Sequence, residues 1–238
     1  MRIALCLHGL FNSATDSTSL GLDGYNYIKK HILDKGDVDI FVHSWQPELT
    51  NVINDLYNPK LALYQPQRDF TQLINERGLN ELGMASRPPF SVLSHFYSIQ
   101  QAFQLLDSSN EKYDIVIKSR FDLGRINRIS VQGNPTPAQF INFQTDIQND
   151  KLYQADWSSF NEGPSDVWFY GSQSIMKPFS TIYNELEPEF IMGSDYSKFA
   201  ESFRGVKDDI SNAVIFYKWW MIKNDLWDNT IKLKTIWE

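Results

Sequence analysis

A single cysteine, Cys6, stands in 238 residues, so an intramolecular disulfide is impossible and a structural zinc site built on thiolates is excluded by count. No window approaches the eighteen or so apolar residues that a membrane span needs. The opening RIALCL is broken by His8 and Gly9 and has no small-x-small cleavage pattern, so it reads as a first strand rather than a leader. There is no excess of positive charge: Lys and Arg number 22 against 29 Asp and Glu, a formal charge of −7. Binding to nucleic acid or to an anionic membrane, which needs a basic field, is thereby disfavoured. Several reactive motifs are missing as well. There is no G-x-S-x-G elbow, and no histidine follows His95, so a serine triad in the order Ser, acid, His has no room. No Gly-Lys pair, no G-x-G-x-x-G after the first apolar run and no H-E-x-x-H occur, which removes P-loops, dinucleotide fingerprints and the common hydrolytic zinc helix.

What is present is alternation. RIALCLHGL (2–10), DVDIFVHSW (37–45), PKLALYQP (59–66) and YDIVIKSRFDL (113–123) are short apolar or β-branched runs of the kind buried on both faces of a parallel sheet. Between them GYNYIKKHIL (24–33), PELTNVINDLY (47–57) and PFSVLSHFYSIQQAFQLLDSS (89–109) carry helical spacing, the last through Leu93, Phe96, Ile99, Phe103 and Leu106. Residues 67–85 are expected to be helix plus loop, and 132–148 a loop or irregular element. KLYQADW (151–157) and SDVWFYGS (165–172) read as further strands, SIMKPFSTIYNEL (174–186) as a helix, ISNAVIFYKWWMIKND (210–225) as an apolar core helix and IKLKTIWE (231–238) as a final strand. Strand and helix in turn predict one α/β domain with a mostly parallel central sheet flanked by helices. Aromatic residues make up 14 percent of the chain; core packing accounts for most, and the remainder suits stacking on sugar rings.

In such sheets ligands bind beyond the carboxyl ends of the strands. That rule separates two acidic motifs. Asp37-Val38-Asp39 is a literal D-x-D but opens its strand, which places it on the wrong edge. Arg120-Phe121-Asp122 closes its strand, where period-two alternation turns both charged side chains to one side. A carboxylate there can hold Mg2+ or Mn2+, and a guanidinium can pair with phosphate directly. The bland alternative is an Arg-Asp pair that caps the strand. LHGLFNSATDS (7–17) suits either an oxyanion loop or the lip of a nucleotide pocket, and the missing elbow favours the pocket.

YDIVIKSRFDL, preceded by SHFYSIQQAFQLL and by the pair MRIALCLHGL and DVDIFVHSW, resembles the small bacterial and viral glycosyltransferases of the GT-A fold that build lipopolysaccharide, capsule and other surface glycans. The likeness covers roughly the first 125 residues and, more faintly, SDVWFYGSQSIMKPFSTIY. It implies a single GT-A-like, Rossmann-like domain with a nucleotide-sugar half (1–125) and an acceptor half (126–238), in the cytoplasm of a bacterium or of a virus-infected cell. It implies a nucleotide-diphosphate sugar as donor and a glycan or other hydroxyl as acceptor. His8 and Gly9 would approach base and ribose, Ser44 and Trp45 would border the base, and Ser94 and Tyr97 would reach the sugar or diphosphate. Arg120 and Asp122 would hold the diphosphate, with or without Mn2+ or Mg2+ on Asp122, and Lys118 lies deeper on the same alternation. Arginine in place of the first carboxylate weakens cation binding, and any third metal ligand would have to be oxygen. For the base that takes the acceptor proton, Asp166 leads Asp195, Asp208 and Asp209, although its position at the start of a strand argues against it. The alternative function is a non-catalytic module that binds a nucleotide sugar or glycan on the same fold.

Overall fold

The first apolar run forms β1, Arg2–Gly9, in a computed structural model that describes residues 1–12, 20–81, 87–124, 140–156, 162–204 and 210–234. β1 pairs in parallel with β2, Asp37–Ser44, and with β4, Ile115–Arg120, while β3, Leu61–Tyr64, adds in parallel to β2. β5, Leu152–Ala155, β6, Trp168–Gly171, and β7, Thr230–Leu233, complete one seven-stranded sheet in the order β3-β2-β1-β4-β6-β5-β7. β6 runs antiparallel to both neighbours, and β5 and β7 are parallel to each other. The architecture is the mostly parallel α/β sheet that the sequence pattern predicts.

Both faces of the sheet are covered, which is why its strands are nearly continuous in apolar character. Ile3, Leu5 and Leu7 of β1 join Ile115 and Ile117 of β4 and Trp168 and Tyr170 of β6 on one face, under Ile28 and Ile32 of α1, Leu20–His31, and Ile53 and Tyr57 of α2, Thr50–Tyr57. The alternate residues Ala4, Cys6, Phe41, Val116 and Phe169 face the other way and meet α4, Pro89–Ser108. Pro89 sits in the first turn of α4, where its fixed φ suits a helix and its missing N–H is no loss. The expected stripe is the buried one, with Leu93, Phe96 and Ile99 fully enclosed.

Between β3 and α4 lies α3, Thr71–Glu76, a short element inside the stretch expected to be helix plus loop. The stretch expected as one helix over 174–186 is three pieces: α5, Gln173–Met176, a 3-10 turn, Lys177–Thr181, and α6, Ile182–Glu189. Pro178 at the start of the turn explains the break, because it lacks an N–H and its ring crowds the preceding turn. After α7, Asp195–Arg204, comes α8, Ala213–Lys223, capped by Asn212, whose side chain accepts from the backbone N–H groups of Val214 and Ile215 at 3.0 and 3.3 Å. Trp220 is fully buried and Trp219 partly so, the core helix expected. The expected loop over 132–148 is irregular from residue 140 onward; its earlier part, most of 7–17 after Asn12, and Asp208 and Asp209 lie outside the described residues.

The literal D-x-D stands at the amino edge of β2. Asp39 accepts from Arg2 at 2.9 Å, Lys60 at 2.8 Å and the Tyr113 hydroxyl at 2.7 Å, a structural charge network far along the strand from the carboxyl edge.

Candidate functional site

At the carboxyl edge of β1 and β4 a cleft of about 400 Å³ opens between the strand ends, the first turns of α4 and the start of α8. Its lining gathers His8, Gly9, Trp45, Ser94, Arg120, Asp122 and Asp166, seven residues drawn from five separate stretches of the chain. The register explains the meeting: His8 of β1 lies opposite His43 of β2 and Arg120 of β4, and Gly9 lies opposite Ser44. Gly9 has φ of +102°, a conformation in which a side chain would be strained, and its carbonyl accepts from the backbone N–H of Trp45 at 3.3 Å. The chain turns sharply there and leaves the edge open.

Arg120 is the last residue of β4, and Asp122 lies beyond it in a turn, so strand alternation is not what joins them. The turn folds Asp122 back onto the guanidinium. Arg120 Nε donates to Asp122 Oδ1 at 2.8 Å and Nη2 to Oδ2 at 2.5 Å, a two-pronged pair, while Nη1 donates to Asp166 Oδ2 at 3.2 Å. α1 supports this turn from beneath: Gly24 approaches so closely that a Cβ would stand 1.8 Å from the Phe121 carbonyl oxygen. Asp166 reaches the cleft because β6 is antiparallel to β4. The beginning of β6 therefore lies at the carboxyl end of β4, and the objection drawn from strand position is removed.

Beneath the cleft lies a layer of buried bases. His8 is 2% exposed, neither of its ring nitrogens has a hydrogen-bond partner among the described residues, and its ring stands edge-on to His95 with centroids 5.2 Å apart. His95 Nε2 is 3.1 Å from the Tyr217 hydroxyl. Lys118 is fully buried; it donates to the Asp166 carbonyl, and its ammonium lies over the rings of Phe169 and Tyr217 at 5.4 and 5.6 Å. Burial pushes Lys118 down to about 7, with Arg120 adding to the fall and Asp166 and Asp122 opposing it. Burial and then Lys118 hold both His8 and His95 well below the usual imidazole value, so both are neutral at pH 7. For Asp166, burial works upward, but Arg120, His95, Lys118 and Arg87 together hold the carboxyl well below its ordinary range.

Three expected residues do not line the cleft. Ser44 is buried, with its hydroxyl accepting from the Gln46 N–H at 3.3 Å. Tyr97 stacks on Trp45 from behind, centroids 5.4 Å apart, and carries Arg68 over its face. Lys118 lies under the floor. Asp195 is solvated and pairs with Lys198 at 3.3 Å. Sequence reasoning missed Gln67, Arg87, Ser91 and His95, all of which line the cleft. Ser91, Ser94 and His95 are spaced three and four apart on α4, so the helical period was the available signal.

The donor set does not fit a divalent ion. Both oxygens of Asp122 and one of Asp166 already receive N–H groups of Arg120, and a guanidinium lies between the carboxylates where a hard cation would need oxygen ligands. Among the described residues no cluster of three or more His, Cys, Asp and Glu is placed to hold a metal.

Comparison with known proteins gives little sequence likeness: no protein-family model matches the chain, and no curated protein matches it. Among solved structures, the apo crystal form of mouse xyloside xylosyltransferase 1 is similar over 98% of this chain and 84% of that chain, with 11% identity and a TM-score of 0.45. No helix among the described residues is long and apolar enough to cross a membrane.

Proposed function

We propose that the chain is a glycosyltransferase that binds a nucleotide-diphosphate sugar in this cleft and passes the sugar to a hydroxyl of a glycan or related acceptor. One observation carries the reading: His8, Gly9, Trp45, Ser94, Arg120, Asp122 and Asp166 converge on one cleft at the carboxyl edge of the parallel strands. That edge is where this class of sheet takes nucleotides. The lining combines an apolar wall of Phe11, Trp45 and Phe90 with hydroxyl, amide, imidazole and carboxylate groups, the mixture suited to a base, a sugar and a charged linker.

In the transfer the acceptor oxygen bonds to the anomeric carbon, the bond from that carbon to the phosphate oxygen breaks, and the nucleoside diphosphate leaves with the electron pair. The acceptor hydroxyl proton goes to a carboxylate. We assign that role to Asp166, which Arg120 holds through Oδ2 and keeps ionised. So acidic a group accepts a hydrogen bond first and the proton only as the new bond forms. Arg120 then acts as a positioning residue, bonded to both Asp122 and Asp166. His8, with both ring nitrogens unpartnered in the cleft floor, is free to bond a ligand hydroxyl. The test is thermal stability of the native chain and of Ser94→Trp, whose larger side chain would fill the cleft, with UDP, GDP, CDP and their sugars. A selective rise in melting temperature that the variant loses supports the reading; no rise with any of them overturns it in favour of a scaffold.

A further inference from the structure

We infer that the cleft takes a diphosphate without a divalent cation, on Arg87, because Arg120 already occupies the place between Asp122 and Asp166. The inference rests on the nucleotide-sugar reading of the cleft. In a metal-dependent site the carboxylates present free oxygens to an ion, which then bridges to phosphate. Here the guanidinium lies 2.5 to 3.2 Å from three of the four carboxylate oxygens. An incoming divalent ion would meet a fixed positive charge and oxygens turned away from it.

The same geometry withdraws Arg120 from phosphate binding. Arg120, Asp122 and Asp166 together sum to one negative charge, which repels a diphosphate. His8 and His95, the nearest other polar groups of the floor, are neutral. Among the described residues, the remaining cation of the lining is Arg87. It is exposed at the mouth, ahead of α4, and no carboxylate among the described residues pairs with it. Its backbone is held in place, since the Ser211 hydroxyl donates to the Arg87 carbonyl at 2.5 Å. Arg87 shares the lining of the cleft with His95 and Asp166. A guanidinium so placed offers two parallel N–H groups to phosphate oxygens and remains charged at every working pH.

The experiment is calorimetric titration of the full chain with UDP, GDP, CDP, ADP and dTDP, each in EDTA and again in Mg2+ or Mn2+, using native protein and Arg87→Ala. The expected result is one or more nucleoside diphosphates binding in EDTA with a Kd within about twofold of that in metal. Arg87→Ala should weaken this about tenfold or more, the loss of a charge-assisted hydrogen bond, while the matching nucleoside binds as before and the melting temperature is unchanged. Binding that requires metal, or that ignores Arg87→Ala, overturns the inference and leaves the nucleotide-sugar reading standing. No binding of any of the five in either condition overturns both.

Discussion

Lys118→Met should make the chain more stable over a defined range of pH. Lys118 is fully buried on β4, with its ammonium held by one carbonyl and two aromatic faces, and its pKa is lowered from 10.5 to about 7. The unfolded chain therefore binds a proton at this residue between about pH 7 and 10.5 that the folded chain does not. By linkage, stability rises with pH across that window, by about 1.4 kcal/mol per unit and on the order of 5 kcal/mol in all. Methionine is close in volume and has nothing to titrate, so the variant should lose this slope and exceed the native protein most at the acidic end of the window. Urea unfolding of both proteins at half-unit steps from pH 7 to 10 gives the difference directly. Parallel stability curves would refute the reasoning and mean that Lys118 stays charged on partners as good as water.

Gly24→Ala should cost about 2 kcal/mol or more and abolish the nucleotide response, because the new Cβ would collide with the Phe121 carbonyl and shift the turn that carries Asp122; urea unfolding with a ligand melt checks both. His8→Leu should leave stability equal or raise it by about 1 to 3 kcal/mol, since it removes two buried unpartnered nitrogens, yet reduce ligand binding; a loss of stability would point to a structural role. Acid should weaken the fold below about pH 6.5, where the unfolded chain protonates His8 and His95 and the folded chain keeps them neutral; a smaller loss in His8→Leu is the check.

The strands that build the site were legible because burial on both faces leaves a continuous apolar signature, as in Ile115–Ile117, and the long stripe of α4 was legible by its period. Strand direction leaves no such mark. SDVWFYGS reads the same whether β6 runs parallel or antiparallel, so Asp166 looked misplaced until the sheet order put the start of β6 beside Arg120. Helix rotation misled more finely: Ser94 and Tyr97 share a turn of α4, but Tyr97 faces Trp45, and the cleft belongs to Ser91, Ser94 and His95. Lys118 and Arg120 do share a face, and depth alone separates them, one buried against aromatic rings and the other lining the cleft. Arg87 could not be found from sequence, since the role proposed for it depends on its place in the cleft and on no carboxylate among the described residues pairing with it.

The most direct measurement is a crystal structure of the chain grown with the nucleoside diphosphate that raises its melting temperature most. The account predicts the nucleotide in the cleft at the carboxyl ends of β1 and β4, against Gly9 and Trp45, with its diphosphate toward Arg87. A nucleotide bound elsewhere, with Arg120, Asp122 and Asp166 untouched, would contradict it.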